Sequence, residues 1–239
     1  FNMAVNTFND SYPSAFHHQI GGYHAAKLRR YQDLIDFYIA GHVNMNVLNM
    51  LNARYFVTPD QQQGYRVQRN PDAMGNVWFV DSIYWVSNAN EEILALNQIV
   101  VADQAVVNQQ EFGAMLQGKA LQRDSNSRIE MEHQTPYNPD NVRYKSNCTK
   151  EQLAVFSEIY YKPDWFVYID GKPAEYLRVN YILRAMVIPA GEHQIEFRNE
   201  APLVHRLNRV TLYSQIVLLL AIAACITLLY RKRRQQQAG

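Results

Sequence analysis

From Thr211 to Tyr230 the chain carries no charged side chain, and the nearly unbroken apolar run Leu212–Tyr230 ends at Arg231, Lys232, Arg233 and Arg234. A helix rising about 1.5 Å per residue needs roughly 20 residues to cross a hydrocarbon core of about 30 Å. A buried core helix or an interfacial helix competes for such a run, but its length and lack of charge favour a span over 211–230. Lys and Arg gather on the cytoplasmic side of a span. The basic tail 231–239 is therefore expected in the cytoplasm and residues 1–210 outside it. Arg206 and Arg209 on the other flank weaken this bias without reversing it.

Charge supports the division. All 22 acidic residues precede Arg231, against 19 of the basic ones, so the outer part has a formal charge of −3. A nucleic-acid binder would present a basic face, and none is visible. Cys148 falls in the outer part and Cys225 in the span, so no disulfide between them is expected and the fold must stand on its apolar core. Asn147-Cys148-Thr149 matches the N-glycosylation sequon, a short pattern that chance also produces. The chain opens at Phe1 with neither a charged n-region nor an apolar h-region. The expectation is the C-terminal piece of a longer membrane protein.

Periodicity divides the outer part into a helical segment 1–60, a mixed segment 61–127 and an antiparallel β-sandwich 128–203, of jelly-roll or immunoglobulin-like type; the class is α+β. Leu28, Tyr31, Ile35 and Tyr38 recur at helical spacing and predict a helix over Tyr23–Ala40, ended by Gly41. A second, short helix is expected over Val43–Asn52. Arg54–Val57 reads as a buried strand closed by Thr58-Pro59, followed by a polar turn at Gln61–Gly64. Asn76–Val86 suits a strand pair or one bent strand. Asn90 opens a helix with Glu91 and Glu92 where the dipole favours them, and 108–117 reads as another, before a loop at Asp124–Ser127. Candidate strands follow at Val142–Ser146, Leu153–Tyr161, Trp165–Ile169, Glu175–Asn180, Leu183–Ile188 and His193–Arg198. Asp170-Gly171 predicts a type I′ hairpin, which needs positive φ at both central residues, and Pro189-Ala190-Gly191 predicts another turn.

Few residues point to chemistry. His17, His18 and His24 cluster in sequence but lack the further ligands of a metal site, so no metal is expected. Gly21-Gly22 precedes the predicted helix, whose N–H groups would favour an anion. Tyr23, Lys27 and Arg30 then share a face, and together these five residues suit a phosphate or lipid headgroup; an ordinary turn followed by a solvated basic face explains the same pattern. Trp78, Tyr84, Trp85, Tyr161 and Trp165 offer rings for sugar stacking, although aromatics on strands more often serve packing. Glu130 and Glu132 alternate on a strand and Asp170 sits in a turn, so no carboxylate pair for glycoside hydrolysis stands out. No catalytic or cofactor fingerprint appears, and no catalytic residue or cofactor is assigned.

Ala154-Val-Phe-Ser-Glu-Ile-Tyr-Tyr161, Trp165-Phe-Val-Tyr-Ile-Asp-Gly-Lys-Pro173, Asn180-Tyr-Ile-Leu-Arg184, Val187-Ile-Pro-Ala-Gly-Glu-His193 and Ile195-Glu-Phe197 stand in order along the chain. So do Ile20-Gly-Gly-Tyr-His-Ala-Ala-Lys-Leu-Arg-Arg-Tyr-Gln32 and Asn44-Met-Asn-Val-Leu-Asn-Met-Leu-Asn52 near its start. This ordered set resembles the C-terminal ectodomain of the YfhO-like bacterial membrane proteins, in their Bacteroidetes-type form; residues 100–140 resemble nothing quotable. The resemblance implies a large polytopic protein of the bacterial cytoplasmic (inner) membrane, related to GT-C glycosyltransferases. Such enzymes transfer sugar from a polyprenyl-phosphate lipid to an envelope glycan, with a catalytic acid in the first external loop, outside this chain.

Two functions follow as expectations. In the first, residues 1–210 cover the active site of a lipid-linked-sugar glycosyltransferase, bind acceptor glycan or help place the donor lipid. In the second, the chain is a non-catalytic, membrane-anchored sandwich that binds envelope polysaccharide or a partner protein. The lipid bilayer is a partner in both.

Overall fold

The computed structural model describes residues 1–62, 64–119 and 121–237. Gln63 of the expected Gln61–Gly64 turn, and Ala238 and Gly239 of the tail, lie outside them. After an irregular start with one 3₁₀ turn at Pro13–Ala15, helix α1 runs over Arg29–Tyr38 and buries Leu34, Ile35 and Tyr38. The helix expected from Tyr23 therefore begins later. Gly22 has φ 120° and donates its N–H to the Thr7 carbonyl at 2.7 Å, and His24 Nδ1 accepts the Ala26 N–H at 3.1 Å. These local bonds compete with a helical start. Helix α2 (Met45–Met50) has Asn44 as its N-cap, accepting from the Val47 N–H, and the left-handed Asn52 (φ 57°) follows it.

Strands β1 (Tyr55–Asp60) and β2 (Gly64–Arg69) form an antiparallel hairpin. The buried strand expected to stop at Thr58-Pro59 is instead a half-buried one that runs through both, its outer edge bridged by Asn2 at Val57 and open at Pro59, where proline is tolerated. Strands β3 (Val77–Phe79) and β4 (Ser82–Val86) follow, but they join different sheets rather than each other. Helix α3 (Ala89–Ala95) is capped by Asn88, two residues ahead of the expected Asn90. Strand β5 (Gln104–Asn108) then pairs in parallel with β4, giving a β–α–β unit that alternation did not predict. Helix α4 (Gln109–Leu116) is capped by Asn108, as the 108–117 reading anticipates.

The remaining strands are β6 (Arg128–Met131), β7 (Asn141–Cys148), β8 (Gln152–Ile159), β9 (Trp165–Ile169), β10 (Lys172–Ala174), β11 (Leu177–Val179), β12 (Leu183–Ile188) and β13 (Gly191–Asn199). The strand expected over Glu175–Asn180 is present in shorter form as β11, and β10, just before it, joins the other sheet. Asp170 (φ 51°) and Gly171 (φ 75°) make the predicted hairpin turn between β9 and β10. Among the described residues, one sheet has the order β10-β9-β13-β7-β6 and a second the order β11-β12-β8-β3, with all the registered pairs in them antiparallel. The fold is α+β, a β-sandwich with helices and a C-terminal apolar helix.

Period-two alternation explains the layers. Tyr144 and Phe197 of the first sheet meet Phe156 of the second, with ring centroids 4.8–6.2 Å apart and near edge-to-face. On the opposite face of the second sheet, Leu153, Val155, Leu183 and Ala185 join one apolar cluster with α1, α2, α3, α4 and the β4–β5 pair. The second sheet is thus covered on both sides.

The chain divides into two compact units. One is Phe1–Tyr161 with Val167–Arg198; the other is Lys162–Phe166 with the residues from Asn199 onward. The second contains α5 (Pro202–Gln237), a helix of 36 residues. It is long and apolar enough to cross a membrane, with a stretch of mean hydropathy 2.3 that is unburied within the protein. At about 1.5 Å per residue, α5 exceeds a hydrocarbon core by roughly 20 Å. Its first turns carry His205, Arg206 and Arg209, outside the apolar run.

Candidate functional site

The five residues selected from sequence do not converge. A Cβ on Gly21 would collide with the Thr7 carbonyl, so this glycine serves a close backbone approach. Lys27 donates to the Phe8 carbonyl at 3.0 Å and lies over the Phe8 ring. Tyr23 is exposed. Arg30 turns toward Glu92, 2.9 Å away, and toward the Tyr181 carbonyl at 3.2 Å, with its guanidinium 4.5 Å from the Tyr181 ring centroid. Gly21-Gly22 also do not cap α1, so the helix N-terminus invoked for an anion is elsewhere.

Arg30 instead belongs to a buried charge cluster. Glu92 on α3 is fully buried and faces Arg30 and Arg178; Arg178 on β11 also forks onto Glu111 at 2.8 and 2.9 Å. Glu92 additionally accepts the Tyr181 N–H at 3.2 Å. That bond fixes an unusual turn, in which Asn180 (φ 49°) and Tyr181 (φ 70°) both take the left-handed conformation. Asn180 is held from the other side, exchanging bonds of 2.9 and 2.8 Å with the Val106 backbone on β5. The Tyr181 hydroxyl donates to Asp33 at 2.8 Å; burial, and then this bond, push its pKa up to about 12. The cluster ties helices to sheet. By sequence position Glu92 suits the helix dipole; its burial depends on partners on α1 and β11 that no local pattern reveals.

An open concavity lies on the outer face of the first sheet, a groove of about 610 Å³ over β6, β7 and β13. Small-molecule sites span roughly 300–1,000 Å³. Strand register builds its floor from cross-strand rows. Arg128, Asn147 and Glu192 form one, and Glu130, Lys145 and Gln194 the next. Glu132, whose N–H bonds the Arg143 carbonyl at 2.8 Å, extends the pattern to Arg143 and Glu196. Each row mixes donors with carboxylate or amide acceptors, so no single sign of charge dominates.

Three observations speak to catalysis. A bond from Lys145 at 2.7 Å holds the Glu132 carboxyl below the usual range, which makes it a poor proton donor. His193 Nδ1 meets Asp170 at 2.7 Å while Nε2 meets the Ala190 carbonyl at 3.0 Å, so both ring nitrogens are engaged and neither faces a substrate. This pair locks the Asp170-Gly171 turn to the start of β13. Burial raises the Glu158 carboxyl despite Arg184 nearby, but its place on β8 faces the sandwich interior. Among the described residues no group of His, Cys, Asp and Glu suits a metal ion.

The remaining sequence candidates are dispersed. Trp78 donates to the Val101 carbonyl at 2.9 Å and packs on the core, whereas Tyr84 and Trp85 are partly exposed on β4. His18 lies edge-on to Tyr137. Cys148 is a buried free thiol and Cys225, on α5, an exposed one. No family model, curated protein or solved structure matches the chain.

Proposed function

We propose that this chain is the extracytoplasmic, membrane-anchored sandwich of a YfhO-like, glycosyltransferase-related protein of the bacterial inner membrane, and that its outer-sheet groove holds a neutral envelope glycan as acceptor. The observation that carries the binding role is the set of cross-strand rows, in which donors and acceptors alternate at strand spacing. Hydroxyl groups of a polyol both donate and accept, and adjacent Glu130, Lys145 and Gln194 match that duality. A phosphate-rich or nucleic-acid ligand would call for a basic face. The groove's chemistry supports holding a sugar rather than cleaving one, and sugar transfer from a polyprenyl-phosphate donor belongs to a catalytic acid outside this chain.

A glycan array probed with the full chain in nanodiscs tests the reading. Binding to neutral saccharides is expected, falling at least tenfold for Glu130→Ala with Gln194→Ala, both on a solvated face. Saccharide binding untouched by the double variant, or none at all, overturns it. The alternative, a sandwich that docks a partner protein, predicts no saccharide signal and capture of a polypeptide on the same face.

A further inference from the structure

The β1–β2 hairpin carries a second, chemically different surface. Register puts Tyr55, Val57 and Pro59 beside Arg69, Val67 and Tyr65, so these six share one face of the ribbon. Phe56, on the other face, packs against the apolar core. The Tyr55 face therefore points away from the core, and it is apolar where alternation would ordinarily place polar residues. Tyr65 is 61 % exposed, Val67 63 % and Tyr55 54 %. All the described residues of β2 are exposed, which leaves a strand edge that soluble proteins normally blunt or cover.

Charge narrows the choice of cover. Between Arg54 and Arg69 the sequence holds three arginines and one carboxylate, Asp60. Arg69, on the Tyr55 face, and Arg66, beside Thr58 on the other, are exposed and form no ion pair among the described residues. Tyrosine is enriched where an apolar ring must end at water, and arginine pairs with phosphate oxygens. A helix able to cross a bilayer also keeps lipid at high effective concentration for the rest of the chain.

We propose that the β1–β2 hairpin docks on an anionic phospholipid surface, with Tyr55, Tyr65 and Val67 at the level of the headgroups and Arg69, on the same face, on lipid phosphate. A nitroxide label placed by Tyr65→Cys, on a Cys225→Ser background of the full chain, reads the contact by collision with oxygen and with a water-soluble nickel chelate. In nanodiscs of phosphatidylcholine and phosphatidylglycerol at two to one, the label is expected to gain oxygen contact and lose nickel contact several-fold relative to phosphatidylcholine alone. Adding Arg69→Gln should lower the docked population roughly fivefold. A label that stays in water in both lipids overturns the proposal. So does one occluded equally in both, which would mean contact without phosphate recognition. Occlusion in detergent without a bilayer would mean a second copy of the chain or another protein covers the hairpin, and overturns it as well.

Discussion

Glu92 and its neighbour Glu91 show how far one residue's surroundings outweigh its type. Glu91 accepts the Ser87 N–H at 2.8 Å on the exposed side of α3, while Glu92 lies buried between two arginines. Removing one member of a buried pair leaves the others desolvated and unpaired. Glu92→Gln is therefore expected to cost about 3 kcal/mol, and Glu91→Gln under about 1 kcal/mol, in urea unfolding of the detergent-solubilised chain. The His193–Asp170 pair adds a pH dependence. Its bond to Asp170, then that to Ala190, raise the His193 pKa; bonds from His193, then the Gln194 N–H, lower that of Asp170. The histidine's contribution is complete below an unfolded value of about 6.5 and is lost as pH rises through the folded one. That of Asp170 is complete above about 3.9 and is lost as pH falls through its folded value. The turn should be firmest between roughly pH 4 and 6.5. NMR titration of His193 should show a raised midpoint that Asp170→Asn lowers; an unchanged midpoint would disprove the pairing.

Among the elements, the β9–β10 hairpin and the sandwich core make separate predictions. Gly171 has φ 75°, so Gly171→Ala should cost about 1–2 kcal/mol. Gly41, just after α1, has open space around its Cβ position and no left-handed φ, so Gly41→Ala should be neutral or stabilise by up to about 1 kcal/mol. Phe156→Ala would open a cavity between the sheets and lose about 3–5 kcal/mol, readable in the same unfolding experiment. The elements legible in the sequence are those whose signal is local. The Asp170-Gly171 turn, the β13 alternation around Ile195 and Phe197, and the apolar run of α5 each reside in a few consecutive residues. The β4–β5 pairing joins segments across α3, and Ala105-Val106-Val107 is a short apolar run that periodicity alone cannot assign. Apolar spacing predicts a helix from Tyr23 rather than Arg29 because it carries no information about the Gly22–Thr7 bond.

On the scale of the whole molecule, the sandwich and the apolar helix are legible in the sequence, whereas the cross-strand groove is not. Glycine and basic spacing at Gly21-Gly22, Tyr23, Lys27 and Arg30 suit phosphate, while tertiary contacts engage Arg30 with Glu92 and Gly21 with Thr7. The groove residues Glu130, Lys145 and Gln194 had the opposite fate. On separate strands they read as ordinary solvated positions, and only the register of β6, β7 and β13 places them in one row. Hydrogen–deuterium exchange of the full chain in nanodiscs, with and without a saccharide selected on the array, tests the glycan-binding role most directly. The account predicts added protection over β6, β7 and β13 and none over residues 21–30; protection confined to 21–30, or no change at β6, β7 and β13, would contradict it.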